Sequence, residues 1–155
     1  MTQDVTIRSY QTTDQPQVVA LWAVTFPDEP PWNESSALIQ TKLSQQPELF
    51  FVAEQQGQIV GTVIAGFDGV RGWVHKVAVH PDARRRSIAQ SLMQRAENAL
   101  RDLGCVKLNL QVRAGNHAAA AFYLASGYAV EERISFSKHL ASDDQDDLNQ
   151  PGDPS

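Results

Sequence analysis

Cysteine is almost missing from this chain: Cys105 is the only one in 155 residues. A lone thiol excludes an internal disulfide and suits a reducing compartment, so a cytoplasmic location is expected. Long apolar runs are missing too. None approaches the ~20 residues of a bilayer-spanning helix, and no membrane partner is expected. The opening MTQDVTIRSY has neither the basic start nor the apolar stretch of a secretory signal. His75, His80, His117 and His139 show no ligand spacing and Cys105 follows Gly104 in a turn, so no metal is expected. A basic excess is also absent. The net charge is −5, and the last fifteen residues, ASDDQDDLNQPGDPS, hold five aspartates and no Lys or Arg. Without them, 13 acids face 13 bases. The remainder is formally neutral and lacks the basic stripe of a nucleic-acid surface, so no nucleic-acid partner is expected.

What is present suits a globular domain. Hydrophobic residues make up 42% and charged residues 20%, enough to build one core at this length. Residues 1–140 are expected to form that domain, and 141–155 an acidic, disordered tail. Val5 to Ser9 alternates as a strand, and Thr12 or Thr13 before Asp14 opens a helix. Pro27 to Pro31 breaks it, and a second helix is predicted from Ser35 to Gln45. LFFVAEQ and QIVGTVIAGF read as two strands joined at Gln56-Gly57. Asp68-Gly69 turns into the strand GWVHKVAV, which Pro81 ends. Apolar positions at Ile88, Ala89, Leu92, Met93, Ala96, Ala99, Leu100 and Leu103 have helical spacing, with Gly104 as the stop. Val106 to Val112 reads as a strand, Asn116 to Ser126 as a short helix, and Tyr128 to Leu140 as two further strands. This order predicts an α/β (mixed α+β) fold: a mixed, mostly antiparallel sheet with a central parallel pair and helices on both faces.

One stretch needs a chemical explanation. VAVHPDARRRSIA crowds Arg84, Arg85 and Arg86 against the start of a helix, where unpaired N–H groups already carry partial positive charge. The amides from Arg84 to Ala89 can form an anion-binding concavity, with guanidinium groups adding charge; a pyrophosphate suits its size. The competing reading is a capping box, in which Ser87 and Gln90 satisfy those amides internally and the arginines are a solvated patch. The strand–loop–helix context favours the first, since α/β sheets bind ligands at strand carboxyl ends.

At these residues the chain resembles the GCN5-related N-acetyltransferase (GNAT) superfamily. That family's cofactor loop has Arg or Gln, two free places, Gly, one free place, then Gly or Ala, following an apolar strand. Arg84-Arg85-Arg86-Ser87-Ile88-Ala89 occupies the six places. A second family signature is matched by Asn116, Ala119, Phe122, Tyr123, Gly127 and Tyr128. The likeness spans roughly residues 5–140, and PWN with GFDGVRGW further resembles a subgroup of small bacterial acetyltransferases. The departure is Ser87 where the family has Gly. A Cβ there is tolerable if φ is negative, and the hydroxyl can then donate to a phosphate oxygen.

The resemblance implies acetyl-CoA as co-substrate, an amine as acceptor, a parallel pair splayed around acetyl-CoA, and direct attack on the thioester. Val77, Ala78 and Val79 would offer backbone groups to the pantetheine arm. The Val77 N–H would donate to the acetyl oxygen, a contact worth about 3 kcal/mol of barrier. Arg84, Arg85, Arg86, Ser87, Ile88 and Ala89 would hold the pyrophosphate. Tyr123 would protonate the departing thiolate, as a phenol of pKa about 10 can; otherwise it anchors a short helix. Asn116 would cap its helix and touch the cofactor arm.

Many members place a glutamate base where Trp73 stands. His75, on the same face if the strand is regular, can take an ammonium proton directly or through water. A structural histidine, with a water chain to Asp68 or a backbone carbonyl as base, is the alternative. Acceptor recognition would fall to Trp73 and to the PDEPPWNES segment. There Asp28, Glu29 and Glu34 attract a cationic amine and Trp32 offers a cation–π face, unless this is an ordinary acidic loop. A monomer or homodimer is expected. The rival functions are a non-catalytic acyl-CoA-binding or regulatory module, and a nucleic-acid binder using Arg84 to Arg86, which the neutral charge opposes.

Overall fold

The computed structural model describes residues 4–141, apart from the side chains of Arg85 and Arg86. The expected disordered tail lies outside those residues except for its first. The chain divides into two compact units, residues up to Val112 and residues from Arg113.

In the first unit the strands are β1 (Thr6–Ser9), β2 (Phe50–Gln55), β3 (Gln58–Phe67), β4 (Gly72–Val79) and β5 (Leu108–Asn109). The helices are α1 (Gln15–Thr25), α2 (Ser35–Leu43) and α3 (Ile88–Asp102). The strands lie side by side in chain order; β1 to β4 run antiparallel, and β5 is parallel to β4. The β2–β3 hairpin turns at Gln56 and Gly57, both at positive φ (53° and 74°), the pairing whose twist matches that of the strands.

The two sheet faces are covered by different helices. On one, Phe50, Val52, Ile64 and Ala78 pack with Val18, Leu21 and Trp22 of α1 and Ile39 of α2. Burying the Trp22 indole there requires a partner for its N–H, and Thr62 Oγ1 accepts it at 2.9 Å. On the other, α3 buries Ile88, Leu92, Met93, Ala96 and Leu100, the stripe its spacing predicted. A Cβ on Gly61 would stand 2.9 Å from Leu92 Cδ1 and 3.2 Å from Ile88 Cγ2, so the glycine lets the start of α3 approach the sheet. Leu103 and Gly104 (φ 90°) end the helix as expected. The mixed sheet with helices on both faces is therefore the architecture the sequence implies.

Two local expectations are corrected. β5 is only two residues long, and no strand forms over 128–140 among the described residues. The parallel pair thus ends the described strand order rather than lying within it. In the second unit, α4 (His117–Ala125) is capped by Asn116, whose Oδ1 accepts from the Ala119 amide at 3.1 Å.

Candidate active site

β4 carries the centre of the site, and its pairing explains why. It pairs with β5 only at Gly72 and Trp73. Beyond Trp73, its edge toward β5 faces no partner strand among the described residues. On its other edge the register slips: Ile64 faces His75 and Thr62 faces Ala78, so Lys76 and Val77 stand against Val63 alone. Lys76 absorbs the extra residue in the left-handed region at φ 54°. This is a bulge, which bends a strand and re-aims its side chains.

The bulge corrects the expected alternation. Trp73 and His75 face Gly66 and Ile64 across the ladder and share the α1–α2 face. Lys76 takes that face as well, its Nζ lying 5.3 Å from the Trp22 ring centroid and 4.4 Å from that of Phe26. Val77 therefore does not follow His75 by a regular two-residue step. Ala78 and Val79 beyond it are buried.

His75 is open to solvent at one side yet surrounded by enough protein to be partly desolvated. That desolvation, and then the charges of Lys42 and Lys76, hold its pKa below the ordinary histidine value. Lys42, in the last turn of α2, donates to the Ala65 carbonyl at 2.7 Å. Burial lowers its own pKa. The Asp68 carboxylate accepts from the Val70 and Arg71 amides at 2.8 and 2.7 Å, and those bonds lower its pKa.

After β4, Pro81–Arg86 winds as a 3-10 turn begun by His80, whose Nδ1 accepts from the Asp82 amide at 3.2 Å. Arg84 ties this turn to the strand end, its Nε donating to the Val79 carbonyl at 3.1 Å. The side-chain roles of Arg85 and Arg86 lie outside the described residues. Ser87 then sits at φ 57°, ψ 27°, outside the negative-φ range in which a serine Cβ is easily tolerated. The reason is the sharp change from 3-10 turn to helix, which needs the left-handed conformation that glycine adopts most freely. Its side chain makes no capping hydrogen bond, so the expected alternative, a Ser87–Gln90 capping box, does not form. Ile88 beside it is buried and Ala89 half-buried.

The segment between α1 and α2 is tied down by its own charges. Glu29 pairs with Lys76 at 2.9 Å and accepts from Asn33 Nδ2 at 2.7 Å. Glu34 is the N-cap of α2, its carboxylate accepting from the Ser36 and Ala37 amides. Trp32 remains 42% exposed. In the second unit, Tyr123 on α4 meets the rings of Phe122 and Tyr128 edge-on, at 5.0 and 5.6 Å between centroids. Burial pushes its phenol pKa up to about 12.

Lys76 and Lys42 were not anticipated. The available signal was the pair His75-Lys76, two consecutive polar residues inside an apolar strand, where simple alternation fails.

The chain matches known acetyltransferases in sequence and in fold. The acetyltransferase (GNAT) family profile matches residues 10–128. An acetyltransferase of Yersinia enterocolitica is 40% identical over 90% of this chain and 98% of its own length. The ribosomal-protein-S18-alanine N-acetyltransferase of Escherichia coli superposes with a TM-score of 0.64 at 29% identity, covering 80% of this chain and 77% of that one. The aminoglycoside N-acetyltransferase AAC(6')-Iy, in complex with CoA, superposes with a TM-score of 0.74 at 18% identity, covering 91% and 98%. The chain belongs to the GNAT family and is an N-acetyltransferase.

Proposed function

We propose that this enzyme moves an acetyl group from acetyl-CoA to a primary amine, of a small molecule or a protein, by direct attack of the amine on the thioester. The observation that carries this reading is the junction of β4 and α3. A strand edge that beyond Trp73 has no partner strand among the described residues leads into a loop whose Ser87 is left-handed and makes no side-chain capping bond to the helix-head amides. Amides so presented suit a diphosphate, and the strand edge suits an amide-bearing arm. Neighbouring folds are consistent, since AAC(6')-Iy was solved with CoA.

In this reading the backbone of Val77, Ala78 and Val79 aligns the acyl arm, and the Val77 N–H donates to the thioester oxygen as charge develops there. The amides from Arg84 to Ala89 hold the diphosphate, with charge from Arg84, Arg85 and Arg86. Asn116 contacts the arm while capping α4. His75, whose pKa is lowered by partial desolvation and by the neighbouring ammonium groups of Lys42 and Lys76, accepts the proton the amine must lose. Tyr123, protonated at any physiological pH, gives a proton to the departing thiolate. Trp73 and Trp32 flank the acceptor, and Glu34, while capping α2, supplies negative charge that attracts a cationic amine. The enzyme works in the cytoplasm as a monomer or homodimer, without metal or nucleic acid.

The decisive experiment is a thiol-release screen with acetyl-CoA against diverse amines, alongside calorimetric titration of CoA. Amine-dependent release supports the proposal. CoA binding with no release across a broad panel would leave an acyl-CoA-binding module instead.

A further inference from the structure

Lys76 departs from strand geometry in both backbone and side chain. Its left-handed φ of 54° at the bulge is costly for a residue with a Cβ unless the surroundings fix it. Those surroundings are specific. The ammonium is paired with Glu29 at 2.9 Å, its side chain only 7% exposed. It also lies over the rings of Trp22 and Phe26 at 5.3 and 4.4 Å. Ammonium, carboxylate and aromatic faces together make an enclosed cation seat, and the low exposure strengthens each contact.

The seat joins two parts of the fold that are remote in sequence. On one side is the bulge, and therefore the direction of the Val77 amide that follows it. On the other is the segment 26–34, because Phe26 supplies a ring and Glu29 the carboxylate. Glu29 also accepts from Asn33 at 2.7 Å, so the attachment continues toward the start of α2. Lys76 is thus fastened between the strand that would carry the acyl group and the segment beside which the amine would enter. Methionine would fill much of the same volume but not the charge, and arginine would not fit the same enclosure without repacking.

We infer that Lys76 is a positioning residue for acetyl transfer, holding the β4 bulge and the 26–34 segment on one ammonium so that the acyl-side amide and the acceptor-side wall keep a fixed relation. This rests on the acetyl-transfer reading given above. It assigns Glu29 to the enzyme's own lysine rather than to the amine substrate.

The test uses the full chain, with hydrogen–deuterium exchange and steady-state kinetics measured on Glu29→Gln, Lys76→Met and Lys76→Gly. Glu29→Gln should speed exchange over 26–34 and raise the amine KM by roughly tenfold, with kcat close to wild type. Lys76→Met loses the pair while keeping the left-handed constraint. It should also speed exchange over 74–79 and lower kcat by roughly 10- to 100-fold. Lys76→Gly tolerates the positive φ, so kcat should return to within about fivefold of wild type while the amine KM stays as high as in Glu29→Gln.

Unchanged exchange over 26–34 in Glu29→Gln overturns the attachment. Equal kcat losses in Lys76→Met and Lys76→Gly overturn the role of the bulge. A fall in stability with kcat and KM both unchanged would reduce the seat to ordinary packing. If Lys76→Met does not fold, the other two variants carry the test. If the wild type transfers acetyl to no amine, the acetyl-transfer reading fails first, and exchange over the two segments still decides whether Lys76 fastens them.

Discussion

Ser87 shows how one atom's worth of chemistry bears on a loop. A left-handed serine is strained by its Cβ by about 1–2 kcal/mol, and glycine is not. Part of that advantage is offset because glycine loses more freedom on folding. Ser87→Gly is therefore expected to stabilise the protein by about 1 kcal/mol, a rise of about 2–4 °C in Tm for a chain of this size. Differential scanning calorimetry measures it, and a lower Tm would mean that the hydroxyl has a stabilising partner after all. Tyr123 is a sharper case, because burial pushes its pKa up to about 12. Tyr123→Phe should lower kcat by at least about tenfold and leave the acetyl-CoA Kd within about twofold, as expected of a proton donor. Unchanged turnover would remove it from the mechanism. For His75 the direction of the shift sets the expected pH profile. A lowered pKa keeps the imidazole neutral further into acid, so the acidic limb of kcat should have its midpoint below the ordinary value of about 6.5. His75→Gln should lower the plateau and abolish that limb; a wild-type limb persisting unchanged in the variant would assign it to another group.

At the scale of elements, legibility followed the strength of the periodic signal. α3 was readable because its apolar stripe persists over four turns and Gly104 ends it. The β2–β3 hairpin was readable because Gln56-Gly57 sits between two strand-like runs. β4 was readable as a strand but not as a bulged one, since alternation counts residues and cannot say where two of them will face one. Glu34 caps α2, a role the sequence does not signal because glutamate is outside the usual set of cap residues. Gly61 likewise carried no sequence signal for its role, which is to admit Leu92 and Ile88 of α3 against the sheet. Gly61→Ala should force those side chains aside and cost about 1–3 kcal/mol. Urea unfolding checks this, and a variant as stable as wild type would mean that α3 shifts freely over β3. Because the α3 start also bears the loop amides, the same variant should weaken CoA binding.

For the whole molecule, the uneven distribution of burial has a measurable consequence. Phe50, Val52, Ala53, Val63 and Ala65 in β2 and β3 have no exposed surface, and Trp22, Ile88 and Leu92 pack close to fully buried. Residues 129–138, by contrast, are all exposed, with Val130, Ile134 and Phe136 more than 80% open. Backbone amides open with a free energy that reflects the apolar contacts and ladder bonds around them. Native-state hydrogen exchange should therefore be slowest in β2 and β3 and fastest, among the described residues, over 129–138. Alternating apolar residues from Tyr128 to Leu140 call for two strands, and exposed side chains without a ladder say otherwise. Alternation requires a face to bury against, and that requirement is invisible in the segment itself. Protection over 129–138 equal to that of β3 would overturn this prediction. Fast exchange there, beside a slow β2–β3 core, would mean that the enzyme's stability resides in residues up to Val112.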